Sequence, residues 1–153
     1  MRITLIIAIL LVPFFAGCGG QDNPFGTVYV EGTVTFDGQP IDGVSITLIP
    51  RDEGEQLSAG GVTDANGKFT VTAGGSPAGS GARPGMYDVT FSKISIPRGA
   101  SPEEDMMMYG GRRPPTTFHI PERYGNVRTS GLEPIVVDTN RRNNVFNFAL
   151  TSE

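Results

Sequence analysis

Val28-Tyr29-Val30-Glu31-Gly32-Thr33-Val34-Thr35-Phe36 reads as a β-strand, because Val28, Val30, Gly32, Val34 and Phe36 alternate with Tyr29, Glu31, Thr33 and Thr35. A period of two with one apolar face belongs to a strand half-buried in a sheet. Asp37-Gly38 follows at once, a dipeptide that tolerates positive φ and so ends the strand in a tight turn.

The same pattern recurs downstream. Residues 44–49 place Val44, Ile46 and Leu48 on one face before Pro50 stops them, and residues 57–62 lead into the turn Thr63-Asp64-Ala65-Asn66-Gly67. Residues 68–73 point Phe69 and Val71 inward, and residues 86–94 do the same with Tyr87, Val89 and Phe91. Two more segments close the chain, 133–138 with Ile135 and Val137, and 144–150 with Phe146, Phe148 and Leu150. Seven strands at this spacing, punctuated by 21 glycines and 12 prolines, predict an all-β, single antiparallel sandwich.

Two stretches break the pattern. Residues 74–83 are Gly, Ser, Ala and Pro with Arg83, too small to bury much, and are expected to form a flexible excursion. Residues 96–124 are irregular, but Ser101-Pro102-Glu103-Glu104 offers an N-cap, proline at the first helical position and Glu three residues after the cap. One short helix of about two turns, ending before Gly110-Gly111, is expected inside this long loop.

Val30-x-Gly32-x-Val34, Gly38-x-Pro40-Ile41-x-Gly43-Val44, Thr63-Asp64-x-x-Gly67-x-Phe69 and Pro84-Gly85-x-Tyr87-x-Val89 together resemble the carboxypeptidase regulatory-like, or transthyretin-like, β-sandwich domain. The resemblance covers residues 30–91 and implies a seven-stranded Greek-key (prealbumin/transthyretin-like) sandwich. Each element also has a physical reason: Gly32 and Gly43 sit where a side chain would crowd a bend, and Tyr87 is placed to pack at a sandwich corner. Ile120-Pro121-x-x-Tyr124, Thr129-Ser130-Gly131-Leu132 and Asn144-x-Phe146-x-Phe148 are similar to the ending of small envelope lipoproteins that carry this domain.

Before the first strand lie Met1-Arg2, an apolar run over residues 3–15 and Ala16-Gly17. One positive charge, an apolar run too short to span a bilayer as a stable helix, and small residues at a cut site describe a signal peptide over residues 1–17. Cys18, the one cysteine, stands directly behind it. Phe15-Ala16-Gly17-Cys18 resembles the lipobox of bacterial lipoproteins, with Phe15 where that family usually has Leu. The resemblance implies that the Cys18 thiol receives lipid and becomes the new N-terminus, and that Gly19, in place of Asp, favours the outer membrane. The other reading of the thiol is a small hydrophobe in an uncleaved anchor. Residues 18–26 then form the lipidated cysteine and a tether reaching at most about 28 Å, and residues 27–153 the domain.

Cleavage leaves 136 of 153 residues, enough for one domain with a real core. Losing Arg2 takes Lys+Arg from 12 to 11 against 16 acids, a net charge of about −5, which argues against nucleic acid as a partner. With Cys18 lipidated no thiol remains, so the fold rests on packing without disulfides.

No catalytic constellation stands out. His119 is the one histidine, and hydrolytic or iron-dependent sites on similar folds need several. Ser130 lies eleven residues beyond it with no nucleophile-elbow sequence around it. Asp64-Ala65-Asn66-Gly67 echoes a calcium loop, but the twelfth position, where a bidentate Glu belongs, is Gly75. Met106-Met107-Met108, with His119 near in sequence, offers thioether and imidazole ligands suited to cuprous ion. Three successive residues point about 100° apart on a helix, so the competing reading lays these methionines on the sandwich or offers them as an adaptable contact surface. Arg112-Arg113 and Arg141-Arg142 are solvated basic pairs.

The sequence therefore predicts a monomeric, extracytoplasmic module held to a membrane through lipid on Cys18. It is expected to bind an envelope protein or glycan through residues 74–83 and 96–124. No cofactor and no enzymatic activity are expected. The alternative is a periplasmic metal or small-ligand binder using Met106–Met108 and His119.

Overall fold

A computed structural model of the chain describes residues 24–51, 57–97, 99 and 101–153. The expected signal peptide and Cys18 lie outside the described residues, as does the tether up to residue 23. The fold is all-β with one short α-helix. Among the described residues, no helix is long and apolar enough to cross a membrane.

Two sheets carry the core. In the first, β1 (Glu31–Phe36) lies between β11 (Val145–Leu150) on one side and β2 (Gln39–Pro40) with β5 (Lys68–Thr70) on the other. The second runs β10 (Ile135–Val137), β7 (Gly85–Ser92), β3 (Ser45–Pro50), β4 (Ala59–Val62), β6 (Thr72–Ala73). The chain changes sheet at Val71, between Phe69 in the first and Ala73 in the second. A two-stranded ribbon of β8 (Ile94–Ser95) and β9 (Thr117–Phe118) stands apart and brackets helix α1 (Pro102–Tyr109).

Each of the seven expected segments contains a strand, and period two placed their core residues well. Val30, Val34, Val44, Ile46, Leu48, Phe69, Val71, Tyr87, Val89, Phe91, Val137 and Leu150 are all at most 4% exposed. The sheets meet through rings: Phe148 packs edge-on against Phe91, centroids 4.9 Å apart, and lies 6.2 Å from Phe69. Fully burying a side chain of this size contributes about 1.5–3 kcal/mol.

The structure departs from a wholly antiparallel sandwich at one ladder. β1 and β11 run parallel over six pairs, from Glu31 opposite Val145 to Phe36 opposite Leu150. The backbones crowd there, since a β-carbon on Gly32 would overlap the carbonyl oxygen of Phe146 and come within 2.8 Å of the Phe69 ring. The Asp37-Gly38 turn behaves as expected, with both φ angles positive at 49° and 80°. Gly43 differs from the expectation: its φ of 63° calls for glycine, whereas a β-carbon would find only the Lys93 side chain, 3.8 Å away.

Residues 74–83 are not a loose excursion. Ala82 is fully buried in the core and bonded both ways to Val28 (2.7 and 3.1 Å), and the Gly79 N–H donates to Thr72 Oγ1 at 2.8 Å. Small residues order this loop by letting its backbone close on itself, a gain that hydropathy alone does not register.

Tyr87 sits at the corner where β7 begins. Its ring is fully buried and its hydroxyl donates to the Arg83 carbonyl at 2.8 Å, the geometry of a tyrosine corner. Burial pushes its phenol up, which keeps the hydroxyl a donor.

Candidate functional site

Ser101 caps α1, accepting the Glu104 N–H on Oγ at 3.2 Å, with Pro102 in the first turn. Gly110 closes it in the left-handed region at φ 58°, its N–H reaching the Met106 carbonyl at 2.8 Å. The helix is the one expected, but its setting is not. No residue of α1 is buried. It is tied instead to its own approach segment, since Asp105 Oδ1 accepts the Gly99 N–H and Tyr109 donates to the Pro97 carbonyl at 3.3 Å.

Met106, Met107 and Met108 are therefore 65%, 89% and 60% exposed, and the reading that laid them on the sandwich does not hold. Ile94, Ile96 and Phe118 at the base of the same arm are 49%, 39% and 49% exposed, so the arm over residues 94–118 carries most of its apolar surface outward. Between α1 and the returning chain lies an open cleft of about 580 Å³, lined by Ile96, Met106, Tyr109, Arg112, Arg113 and Pro114 among others.

His119 is not part of that cleft. It follows β9, its N–H bonded to the Lys93 carbonyl at 2.8 Å and its Nε2 paired with Ser95 Oγ at 3.0 Å. Of the three methionines only Met106 lines the cleft, so the structure does not gather Met106–Met108 and His119 at one point. Among the described residues there is no group of three or more His, Cys, Asp or Glu side chains placed to hold a metal ion.

The other sequence candidates are engaged in turns. Asp64 Oδ1 accepts the N–H groups of Asn66 and Lys68 at 2.8 and 2.9 Å, which makes it the hinge of a hairpin. Ser130 is buried, donating to the Val127 carbonyl and accepting from the Leu132 N–H, both at 3.3 Å. Arg141 lies over the Tyr29 ring, 5.5 Å from its centre.

Two polar clusters escaped the sequence reading. Tyr124 is 5% exposed, and its hydroxyl accepts from the Thr151 N–H at 3.0 Å and from Arg123 Nη2 at 3.1 Å. Burial raises its phenol, but the bonds from Thr151 and Arg123 outweigh that and hold it below its ordinary value. Arg123 Nη2 also donates to the Thr151 carbonyl at 3.0 Å, so the segment Glu122–Gly125 pins the end of β11. The Ile120-Pro121-x-x-Tyr124 spacing sets Tyr124 in a motif without disclosing these bonds.

Asn144 is the second. It is fully buried, donates from Nδ2 to the Asp138 carbonyl at 2.8 Å and accepts the Asp138 N–H on Oδ1 at 2.7 Å. Asp138 in turn accepts the Asn140 N–H at 2.7 Å and Asn143 Nδ2 at 3.0 Å. These bonds, that from Asn140 first, hold its carboxyl below the usual range. A depressed folded pKa stabilises above the unfolded value of about 4 and the gain disappears as pH falls through the folded value. Asp42, lowered by its hydrogen bond from Lys93, acts in the same direction. The urea midpoint is expected to drop between about pH 5 and about pH 3, less steeply in Asp138→Asn, and equal slopes would refute the assignment.

No family model matches the chain, and no curated protein matches it. Among solved structures it is similar to a 9R-lipoxygenase from Cyanothece PCC8801, at 17% identity and a TM-score of 0.37 over 86% of this chain. The match spans 17% of the lipoxygenase chain. That protein is an enzyme, and on this finding the expectation that the chain is not one is withdrawn. A likeness at this TM-score assigns no reaction and carries no argument about the fold.

Proposed function

We propose that this chain is a lipid-anchored module of the cell envelope, held through Cys18 and folded as a Greek-key, transthyretin-like sandwich, that meets a protein or glycan partner through the arm at residues 94–118. The observation that carries the reading is the arm itself: a capped helix with no buried residue, bearing Met106, Met107 and Met108 outward above Ile96 and Phe118. Flexible thioethers adapt to a partner surface at low cost. Exposed apolar side chains gathered on one projection mark a contact site more often than chance exposure does. The charge-apolar-small order of residues 1–17 supports the anchor.

Two measurements test it. The intact mass of the chain from its membrane is expected to show residues 1–17 removed and acyl chains added, and Cys18→Ser is expected to keep residues 1–17 and carry none. Identical processing of both, without lipid, would overturn the anchor. Solubilised envelope is then compared for partners bound by the parent and by Met107→Glu with Met108→Glu. Loss of the partner supports the arm, and equal recovery removes it.

A further inference from the structure

Among the described residues β11 is the outer strand of its sheet, paired with β1 on one side. The Glu31 N–H donates to the Asn144 carbonyl at 3.1 Å and the Asp37 N–H to the Leu150 carbonyl at 2.9 Å. Backbone groups alternate sides along a strand, so positions 144, 146, 148 and 150 face β1, and Val145, Asn147 and Ala149 direct their N–H and C=O groups away from it. All three are exposed.

The other edges of the two core sheets are blunted. β2 and β6 have two residues each, β2 ending in Pro40 and β6 bridged at Thr72 by Gly81; β5 has three residues, opening with Lys68, and β10 has three. Short, charged or proline-bearing edges resist pairing with other chains. β11 is six residues, Val-Phe-Asn-Phe-Ala-Leu, with no charge, proline or glycine.

It is also nearly palindromic. Laid antiparallel across a twofold axis through Asn147, Val145 meets Ala149 of the other copy on the outer face, Phe146 meets Phe148 on the core side, and Asn147 meets itself. Phe146 and Phe148 are only partly buried within one chain, so the pairing would cover what the single sheet leaves open.

We infer that β11 pairs antiparallel with β11 of a second copy of this chain, joining the two first sheets into one across the dimer. This departs from the monomer expected from the sequence. It rests on the proposed membrane anchor only for local concentration, since confinement to one surface turns a modest edge contact into a persistent one.

Because Asn147 turns both backbone groups toward the partner, it forms a hydrogen-bonded pair with its own copy, Cα atoms about 5.5 Å apart, inside the range a disulfide spans. The full chain carrying Asn147→Cys is therefore oxidised in its native membrane, in the parent and in a Cys18→Ser background. The parent alone, with Cys18 as its single thiol, reports whether that thiol is blocked by lipid, which separates failure of the anchor from failure of the dimer. Asn147→Cys is expected to give roughly tenfold more disulfide-linked homodimer than Glu31→Cys on β1, whose copies would lie three strand spacings apart, about 14 Å. Ala149→Pro added to Asn147→Cys removes an N–H that β1 does not use and should return linkage to the Glu31→Cys level. Coexpressed Val145→Cys and Ala149→Cys chains should link to each other more than either does to itself, which tests the register with a second set of variants. Equal linkage at 31 and 147, none in either background, or linkage of 147 to a different protein would overturn the inference.

Discussion

Gly32→Ala is expected to destabilise the domain by about 3 kcal/mol or more, seen as a lowered midpoint in chemical denaturation at unchanged slope. The added methyl group falls on the Phe146 carbonyl oxygen, and behind it stands the Phe69 ring at 2.8 Å. The obstacle is backbone, so no rotamer change relieves it. β1 must move away from β11 and surrender part of a six-residue ladder. Gly60→Ala is the matched control, because its β-carbon would meet nothing nearer than the Ile46 carbonyl oxygen at 3.4 Å. It is expected to shift stability by less than about 1 kcal/mol. Equal effects at the two sites would show that the close approach of β1 to β11 is not tight.

The second large effect lies at Asn144→Leu. The side chain is fully buried and answers both backbone groups of Asp138 at 2.7 and 2.8 Å. Leucine fills similar space and offers neither donor nor acceptor, leaving an N–H and a C=O without those partners. Each unsatisfied buried group costs about 1–3 kcal/mol, so a loss of about 3 kcal/mol is expected. Asn144→Asp keeps the acceptor but sets a second carboxylate beside the Asp138 carbonyl, and should be no better at neutral pH. A loss below about 1 kcal/mol for the leucine variant would mean that water already serves Asp138.

What the sequence disclosed follows from where hydropathy alternates. Val44, Ile46 and Leu48, or Tyr87, Val89 and Phe91, declare a face by period two, and all six are buried. Ala59, Ala73 and Ala82 are equally buried, yet alanine is as common outside as inside and gives no such signal. The direction of β11 relative to β1 was not readable, because alternation fixes which side chains face inward and says nothing about which neighbour a strand chooses or in which sense. For the arm, the cap at Ser101 and the stop at Gly110 were legible because capping is local chemistry. Its isolation from the sandwich was not, since a helix without an apolar face gives no direction to dock. Tyr124 and Asn144 were missed for a related reason: each is a polar anchor whose partners, Thr151 and Asp138, lie 27 and 6 residues away in irregular chain.

The parallel union of β1 with β11 also sets a clock on biogenesis. Thr33 and Asn147, bonded side chain to side chain at 2.6 Å, are separated by 114 residues. At translation speeds of about 5–20 residues per second, roughly 6–23 s elapse between the emergence of one and the other. Throughout that interval β1 has only β2 and β5 beside it, so the first sheet stays open on the side that β11 closes. Completion of that sheet therefore waits on the segment Val145–Leu150, however early its partner on β1 is made.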